Sequence, residues 1–207
     1  MTELDLDMVQ QVARKLLNTL TGSGLTKLIG LGYRTGLFEA AAHGPATSAG
    51  LAKRAELSER YVREWLGNQA AVSYVVYNSV HGTFELPAEQ AMVVANEDSP
   101  VFLGGAFESI AACYADHDIL VDAFRTGAWV GWQEHYDRLF SGVLWLFRPG
   151  YAAHLVDEWL PALDGVVEKL RAGASVADVG CGLGASTIIL AEAFRRSTFV
   201  GLDIHEP

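Results

Sequence analysis

Residues 176–186 read VADVGCGLGAS, and few folds can use such a stretch. A short apolar run meets three glycines at alternate positions, and a run of small and apolar residues follows. This pattern predicts a strand at 175–179 that turns sharply into a helix at 185–195. Gly180, Gly182 and Gly184 let the backbone turn and approach a ligand with no Cβ in the way. The helix that follows points its free N–H groups at that ligand. A second strand is predicted at 198–203, ending in Asp203. A carboxylate at that point can accept hydrogen bonds from two ribose hydroxyls. Strand, helix and strand together make a βαβ nucleoside site.

The preceding part of the chain reads as mostly helical. Val9, Val12, Leu16 and Leu20 recur at helical spacing, which predicts a helix over 4–20 ended by TGSG at 21–24. A second helix is predicted over 25–41, apolar on more than one face and therefore in need of a partner surface. Two short helices follow from residue 44. Thr47 and Ser58 are placed as their N-caps, Glu59 sits in the first turn of the second, and Val62, Trp65 and Leu66 form its buried face. YVVYNSV and TFEL flank His81-Gly82 and read as a hairpin. Helix, turn, helix and hairpin is the order of a winged helix. Ser99 and Pro100 predict the start of a further helix. Residues 100–170 read as helical, with breaks at Gly127, Gly131, Pro149-Gly150 and Pro161.

The spacing of the glycines separates two kinds of nucleoside site. A dinucleotide loop has the form G-x-G-x-x-G and seats a pyrophosphate. Here the glycines run G-x-G-x-G, and the acidic Asp178 precedes them. This pattern resembles motif I of class I S-adenosylmethionine methyltransferases. LSERYVREWL, FELP, FRPGY, EWLPALDGVVEKLRAG, VADVGCGLGAST and GLDIHEP extend the resemblance to a bacterial, notably actinobacterial, group of these enzymes. That group carries an N-terminal winged helix and is sometimes labelled as transcriptional regulators. The resemblance implies S-adenosylmethionine as cofactor. It places Asp178, Gly180, Gly182 and Gly184 at the loop, Asp203 on the ribose and Ile204 against the adenine face. It implies a small-molecule methyl acceptor and a homodimer built through the N-terminal helices. It also implies further strands beyond the second one. The chain stops at LDIHEP, so it is expected to be a fragment or the product of a truncated or frameshifted gene, with its catalytic residues unassigned, no methyltransferase activity of its own and weak or no binding of the cofactor.

The expected fold class is α/β. A mainly helical N-terminal part with a winged helix leads into the first βαβ unit of a Rossmann-like methyltransferase domain, left incomplete. The expected divisions are 1–95 for the N-terminal helices and winged helix, 96–170 for a helical connector over the substrate region, and 171–207 for the start of the cofactor-binding domain.

A winged helix also raises the alternative of a DNA-binding transcriptional regulator that reads with 58–70, and a third reading is a non-catalytic dimerisation fragment. Charge argues against the regulator. The chain has 25 acidic and 15 basic residues, a net charge of −10, and such a surface repels a phosphate backbone. Within 53–64, Glu56, Glu59 and Glu64 interrupt Lys53, Arg54, Arg60 and Arg63. Cys113 and Cys181 show neither a disulfide framework nor metal-ligand spacing, so no metal is expected. Cys181 reads as a small side chain chosen for space beside the glycines. The acidic start MTELDLDMVQQ is unlike a signal peptide, and no apolar run is long enough to span a bilayer, so a cytoplasmic setting is expected. His117, His135 and His154 read as surface or satisfied core groups, and Asp116-His117-Asp118 reads as a solvated face. Tyr114, Phe124, Trp129, Trp132, Tyr136 and Trp145 are expected in a helical core or over an apolar pocket.

Overall fold

The computed structural model describes residues 4–204. It opens with one long helix, α1 (Leu6–Arg34), capped by Asp5, whose carboxylate accepts from the backbone N–H groups of Asp7 and Met8. Two helices divided at TGSG were expected, but the helix runs straight through. The Thr21 and Thr26 hydroxyls donate back to the carbonyls of Leu17 and Gly22, so they are satisfied inside the helix. Two interior glycines cost only about 1 kcal/mol each relative to alanine. The break falls later, at Gly36, whose φ of +70° starts a short α2 (Leu37–Ala42). Beyond its own helix backbone and chain neighbours, no atom of the described residues lies within 4 Å of a Cβ placed at Gly22. Gly22→Ala should therefore stabilise the protein by about 0.5–1 kcal/mol, read as a rise in the urea midpoint. A fall in the midpoint would show that Gly22 serves something other than the helix.

Residues 4–22 are exposed throughout, including Val9 (46%), Leu16 (64%) and Leu20 (68%). Docking begins at Ser23, whose Oγ lies 3.0 Å from the Tyr114 hydroxyl. From Leu28 onward α1 joins the core. Trp65 Nε1 donates to the Leu28 carbonyl at 2.9 Å. Tyr33 packs on Phe38, Phe102 and Phe107, and burial pushes its hydroxyl above the ordinary tyrosine value.

The helix–turn–helix is formed by α3 (Ser48–Arg54) and α4 (Glu59–Ala71). Thr47 caps α3 as expected, accepting from Gly50 N at 3.1 Å. Ser58 occupies the N-cap of α4, but its side chain makes no capping bond. Val62, Trp65 and Leu66 are buried as their spacing predicted, in one core with Phe38, Leu51 and Val75. The hairpin pairs β1 (Val76–Asn78) with β2 (Thr83–Glu85) antiparallel, with Tyr77 opposite Phe84. Its turn lies at the predicted place. Asn78 Oδ1 accepts from Val80 N and His81 N, and Gly82 takes φ +63°. Ala46 adds a third backbone contact by bridging to Phe84.

A helix not anticipated from the sequence, α5 (Ala88–Val94), follows the hairpin. The helix expected from Ser99 and Pro100 begins instead at Gly104. Ser99 is buried, and its Oγ accepts from Val101 N to close a turn. The next helices are α6 (Gly104–Ala115), α7 (His117–Thr126) and α8 (Arg138–Gly150). Gly127 ends α7 in the left-handed region, as its position suggested.

The backbones of α6 and α8 touch. A Cβ at Gly105 would stand 2.2 Å from Leu146 N and 2.5 Å from the Gly142 carbonyl, and one at Gly142 would meet Ser109 N at 2.7 Å. Arg138 reaches across to the buried Glu108 at 3.0 Å.

Pro149-Gly150 does not break the chain's helical path. The helix continues as a π-helical segment, Tyr151–Trp159. Proline has no N–H to offer the preceding turn, and the backbone answers by widening to bonds five residues apart, as from Leu160 N to the Leu155 carbonyl at 3.0 Å. The helical path ends at Pro161, as predicted.

After α9 (Val166–Ala172) come β3 (Ser175–Val179), α10 (Ala185–Ala193) and β4 (Thr198–Leu202). The two strands pair in parallel, from Ser175 opposite Thr198 to Val179 opposite Leu202. Helix α10 packs against the π-helical segment and α8, which sets the glycine loop facing α8.

Candidate functional site

All three loop glycines use the conformation that only glycine adopts freely. Their φ values are +76° at Gly180, +54° at Gly182 and +80° at Gly184. Gly180 N and Cys181 N donate to the Leu202 carbonyl at 2.7 and 3.3 Å, which ties the loop to the end of β4. Apart from each glycine's own chain neighbours, no atom of the described residues comes within 4 Å of a Cβ built at any of the three, so the space a side chain would fill is open. Gly184 stands at the N-cap of α10. Cys181 has the packing role its size suggested. Its Sγ would lie 2.8 Å from a Cβ at Gly201, so the two positions share one small space.

The two acids of the loop are differently engaged. Asp203 Oδ2 accepts from Gly182 N at 2.7 Å. Asp178 Oδ2 accepts from the hydroxyls of Ser186 and Thr187, both at 2.7 Å. Asp178 therefore braces the first turn of α10 as well as standing beside the glycines. Ser186 and Thr187 were not picked out from the sequence. Two hydroxyls in the first turn of a helix, close behind an acid at a strand end, were the available signal.

Facing the loop is a cleft of about 180 Å³. One side is formed by Asp178, Gly180, Cys181, Gly182, Leu183 and Ser186, and the other by Trp132, Phe140, Leu144, Phe147 and Tyr151. The structure thus brings Asp178, Gly180 and Gly182 to one cleft. Gly184, Asp203 and Ile204 lie outside its lining. Asp203 is one hydrogen bond away through Gly182, and Ile204 is 73% exposed past the end of β4. Phe140, Leu144, Phe147 and Tyr151 were missed in the sequence, although they recur at spacings of four, three and four along one helical face.

The other aromatic residues depart from the expectation of core. Phe124 is 92% exposed, and Trp129 and Tyr114 are largely exposed. Trp132 alone of the six expected there lines the cleft. The acidic cluster at 116–118 is also not a uniformly solvated face. His117 and Asp118 are exposed, but Asp116 is buried. Its Oδ2 lies 2.7 Å from His135 Nδ1, and its Oδ1 accepts from Tyr136 N at 2.8 Å. His154 Nδ1 stands 3.1 Å from Glu158 Oε1.

On the helix–turn–helix, Arg54 is committed to the fold, donating to the carbonyls of Ala40, Gly44 and Pro45. Arg63 stands 3.9 Å from Glu59 on the exposed face of α4. Among the described residues no helix is long and apolar enough to cross a membrane.

Residues 23–96 match the model of the Rv2258c-like winged HTH domain. Several solved structures share the fold over nearly the whole chain. The mitomycin 7-O-methyltransferase MmcR is 18% identical with a TM-score of 0.68, and the match covers 96% of this chain and 60% of that one. Human N-acetylserotonin methyltransferase, solved in complex with SAM, is 17% identical with a TM-score of 0.59 over 97% of this chain and 60% of that one. CalO1, a methyltransferase in calicheamicin biosynthesis solved with SAH bound, is 21% identical with a TM-score of 0.53 over 97% and 60%. At these identities the likeness is one of fold. The chain spans about 60% of the length of these structures. No curated protein sequence matches it.

Proposed function

We propose that this chain carries the cofactor loop and winged helix of an S-adenosylmethionine-dependent methyltransferase that acts on a small-molecule acceptor. The observation that carries the reading is the glycine loop itself. Three positive-φ glycines stand open where side chains would be, two of them, Gly180 and Gly182, face an aromatic wall across a cleft, and the acid after the second strand is held on the loop. The three structures named above, with the same fold, are methyltransferases, two of them solved with SAM or SAH. The residues suit the cofactor. It has no phosphates to neutralise, and the cleft offers two carboxylates nearby and no lysine or arginine in its lining.

On this reading Gly180, Gly182 and Gly184 admit the methionine end of the cofactor. Asp203 accepts from the ribose hydroxyls. A carboxylate has about four acceptor sites, so it can do this while keeping Gly182 N. Asp178 holds the first turn of α10 through Ser186 and Thr187 and so fixes the loop. Ile204 covers the adenine. The aromatic wall of α8 excludes water from the cleft. The cofactor supplies an electrophilic methyl on a sulfonium, and the part of these residues is to position it for in-line displacement. The division of labour follows 1–95 for the N-terminal helices and winged helix, 96–170 for the helical cap, and 171–207 for the opening unit of a Rossmann-like domain. The setting is cytoplasmic.

Calorimetric titration of the protein with S-adenosylhomocysteine tests the reading. Weak, saturable binding at one site is expected, and no heat up to millimolar ligand would end the reading for this chain. A DNA shift assay at stated salt is expected to show no retarded band, because Arg54 is spent on backbone carbonyls and Arg63 faces Glu59.

The exposed apolar row on α1, Leu6, Val9, Leu16 and Leu20, supports a homodimer through the N-terminal helices. Light scattering at micromolar concentration should return twice the chain mass. A single species at the chain mass would rule the dimer out.

A further inference from the structure

Residues 127–137 link α7 to α8, and their only regular element is a three-residue 3₁₀ turn, Trp132–Glu134. Something other than secondary structure must hold this link in place, and the structure shows what does. Asp116, at the junction of α6 and α7, turns a buried carboxylate onto two successive residues of the link. One oxygen meets His135 Nδ1 at 2.7 Å, and the other accepts from Tyr136 N at 2.8 Å. The His135 ring lies edge-to-face on Trp132, with centroids 5.6 Å apart. Trp132 in turn lies edge-to-face on Phe140, at 5.4 Å. Trp132 and Phe140 both line the cleft that faces the glycine loop.

We propose that Asp116 and His135 are positioning residues that hold Trp132 as a wall of this cleft. The consequence for ligand affinity rests on the reading of the cleft as the cofactor site. A bond from Nδ1 to a carboxylate oxygen that is itself held in place fixes the orientation of the His135 ring. A buried carboxylate is costly unless its donors stay in place, so the link cannot drift from Asp116 without penalty. Phe140, buried in α8, makes the second ring contact of Trp132. The indole, 38% exposed, thus touches two rings that are themselves held in place. Neither Asp116 nor His135 lines the cleft, so both act on its occupant through Trp132.

Two measurements test this, one of them independent of any ligand. The emission of Trp132 is obtained as the difference between the protein and Trp132→Phe, and its quenching by acrylamide is measured. Trp132 is 38% exposed in the intact protein, so Asp116→Ala and His135→Ala should raise its quenching clearly above the wild-type value, towards that of free tryptophan. His135→Asn should restore protection, because its amide N–H can donate where Nδ1 does. Unchanged quenching in both alanine variants, with folding confirmed by thermal unfolding, overturns the proposal. Failure of His135→Asn to protect Trp132 also overturns it. Should an alanine variant not fold, Asp116→Asn takes its place. The amide loses an acceptor for one of the two donors, so quenching of Trp132 between the wild-type and alanine values is expected, and wild-type quenching refutes the role.

The second measurement is the affinity for S-adenosylhomocysteine. Asp116→Ala should weaken it about tenfold, the change expected from loss of one well-placed buried contact. Asp116→Ala combined with Trp132→Ala should bind no more weakly than Trp132→Ala alone. Additive losses would mean that Asp116 acts on the cleft by a route other than Trp132, and the proposal would fall. A wild-type protein that does not bind S-adenosylhomocysteine refutes the functional reading, while the quenching experiment still decides the role of the pair.

Discussion

Replacing Gly105 with alanine should destabilise the protein by about 3 kcal/mol, the upper end for overpacking. The added methyl would stand 2.2 Å from Leu146 N, 2.5 Å from the Gly142 carbonyl and 2.6 Å from the Trp145 carbonyl carbon. All three are backbone atoms, so no side-chain rotation relieves the clash. Helices α6 and α8 must move apart, and each contact between them weakens together. In a protein of this size a loss of that order lowers the thermal midpoint by roughly 6–12 °C. The same movement carries Phe140, Leu144 and Phe147 away from the glycine loop, so affinity for S-adenosylhomocysteine should fall with stability. A midpoint within about 2 °C of wild type would show that the helices do not meet at this point. The contrast with Gly22 is one of sign. Both are helical glycines, and only the surroundings of the Cβ separate a stabilising alanine from a disruptive one.

Asp203→Ala should weaken S-adenosylhomocysteine by about 1.5–3 kcal/mol, roughly 10- to 150-fold. Two effects act in the same direction. On the proposed reading the ribose hydroxyls lose an acceptor, and Gly182 N loses the carboxylate that holds the loop at 2.7 Å. Asp203→Asn separates them. Its amide oxygen can still accept from Gly182 N, so a variant that binds better than the alanine but worse than the wild type assigns the remainder to charge. The titration is read by calorimetry, and an unchanged dissociation constant in Asp203→Ala would remove Asp203 from the site.

The βαβ unit was legible in the sequence almost to the residue. Glycines at alternate positions after a short apolar strand admit few backbone paths, and β3 spans the predicted residues. The winged helix was legible for a similar reason, since Thr47 and the buried face of α4 are local signals. The misses have physical causes. TGSG resembles a stop signal, yet Thr21 donates one turn back inside α1 and Ser23 meets the Tyr114 hydroxyl. Gly105 and Gly142 look like any other helical glycines until the partner helix is in place. Asp116 stands in an acidic run and meets its partners 19 and 20 residues away, so its burial leaves no local trace. Pro149 is a reliable breaker only where the backbone cannot widen, and here it does. Of the site, the backbone half was readable and the aromatic half was not, because a helical stripe of Phe and Leu looks the same lining a cleft as filling a core.

The first half of α1 has a further consequence for how the molecule opens. Residues 4–22 are exposed on every side, and their backbone bonds are sustained only by neighbours within the helix. A helix of this length alone in water is near the limit at which it persists. In the single chain its amides should therefore exchange with deuterium by local fraying, orders of magnitude faster than those of α4, whose Val62, Trp65 and Leu66 open only with the core. Protection that rises along α1 from its first turn, with a step near Ser23, would trace where the isolated rod becomes part of the folded body. Protection in that first half that grows with protein concentration would report the surface that covers it.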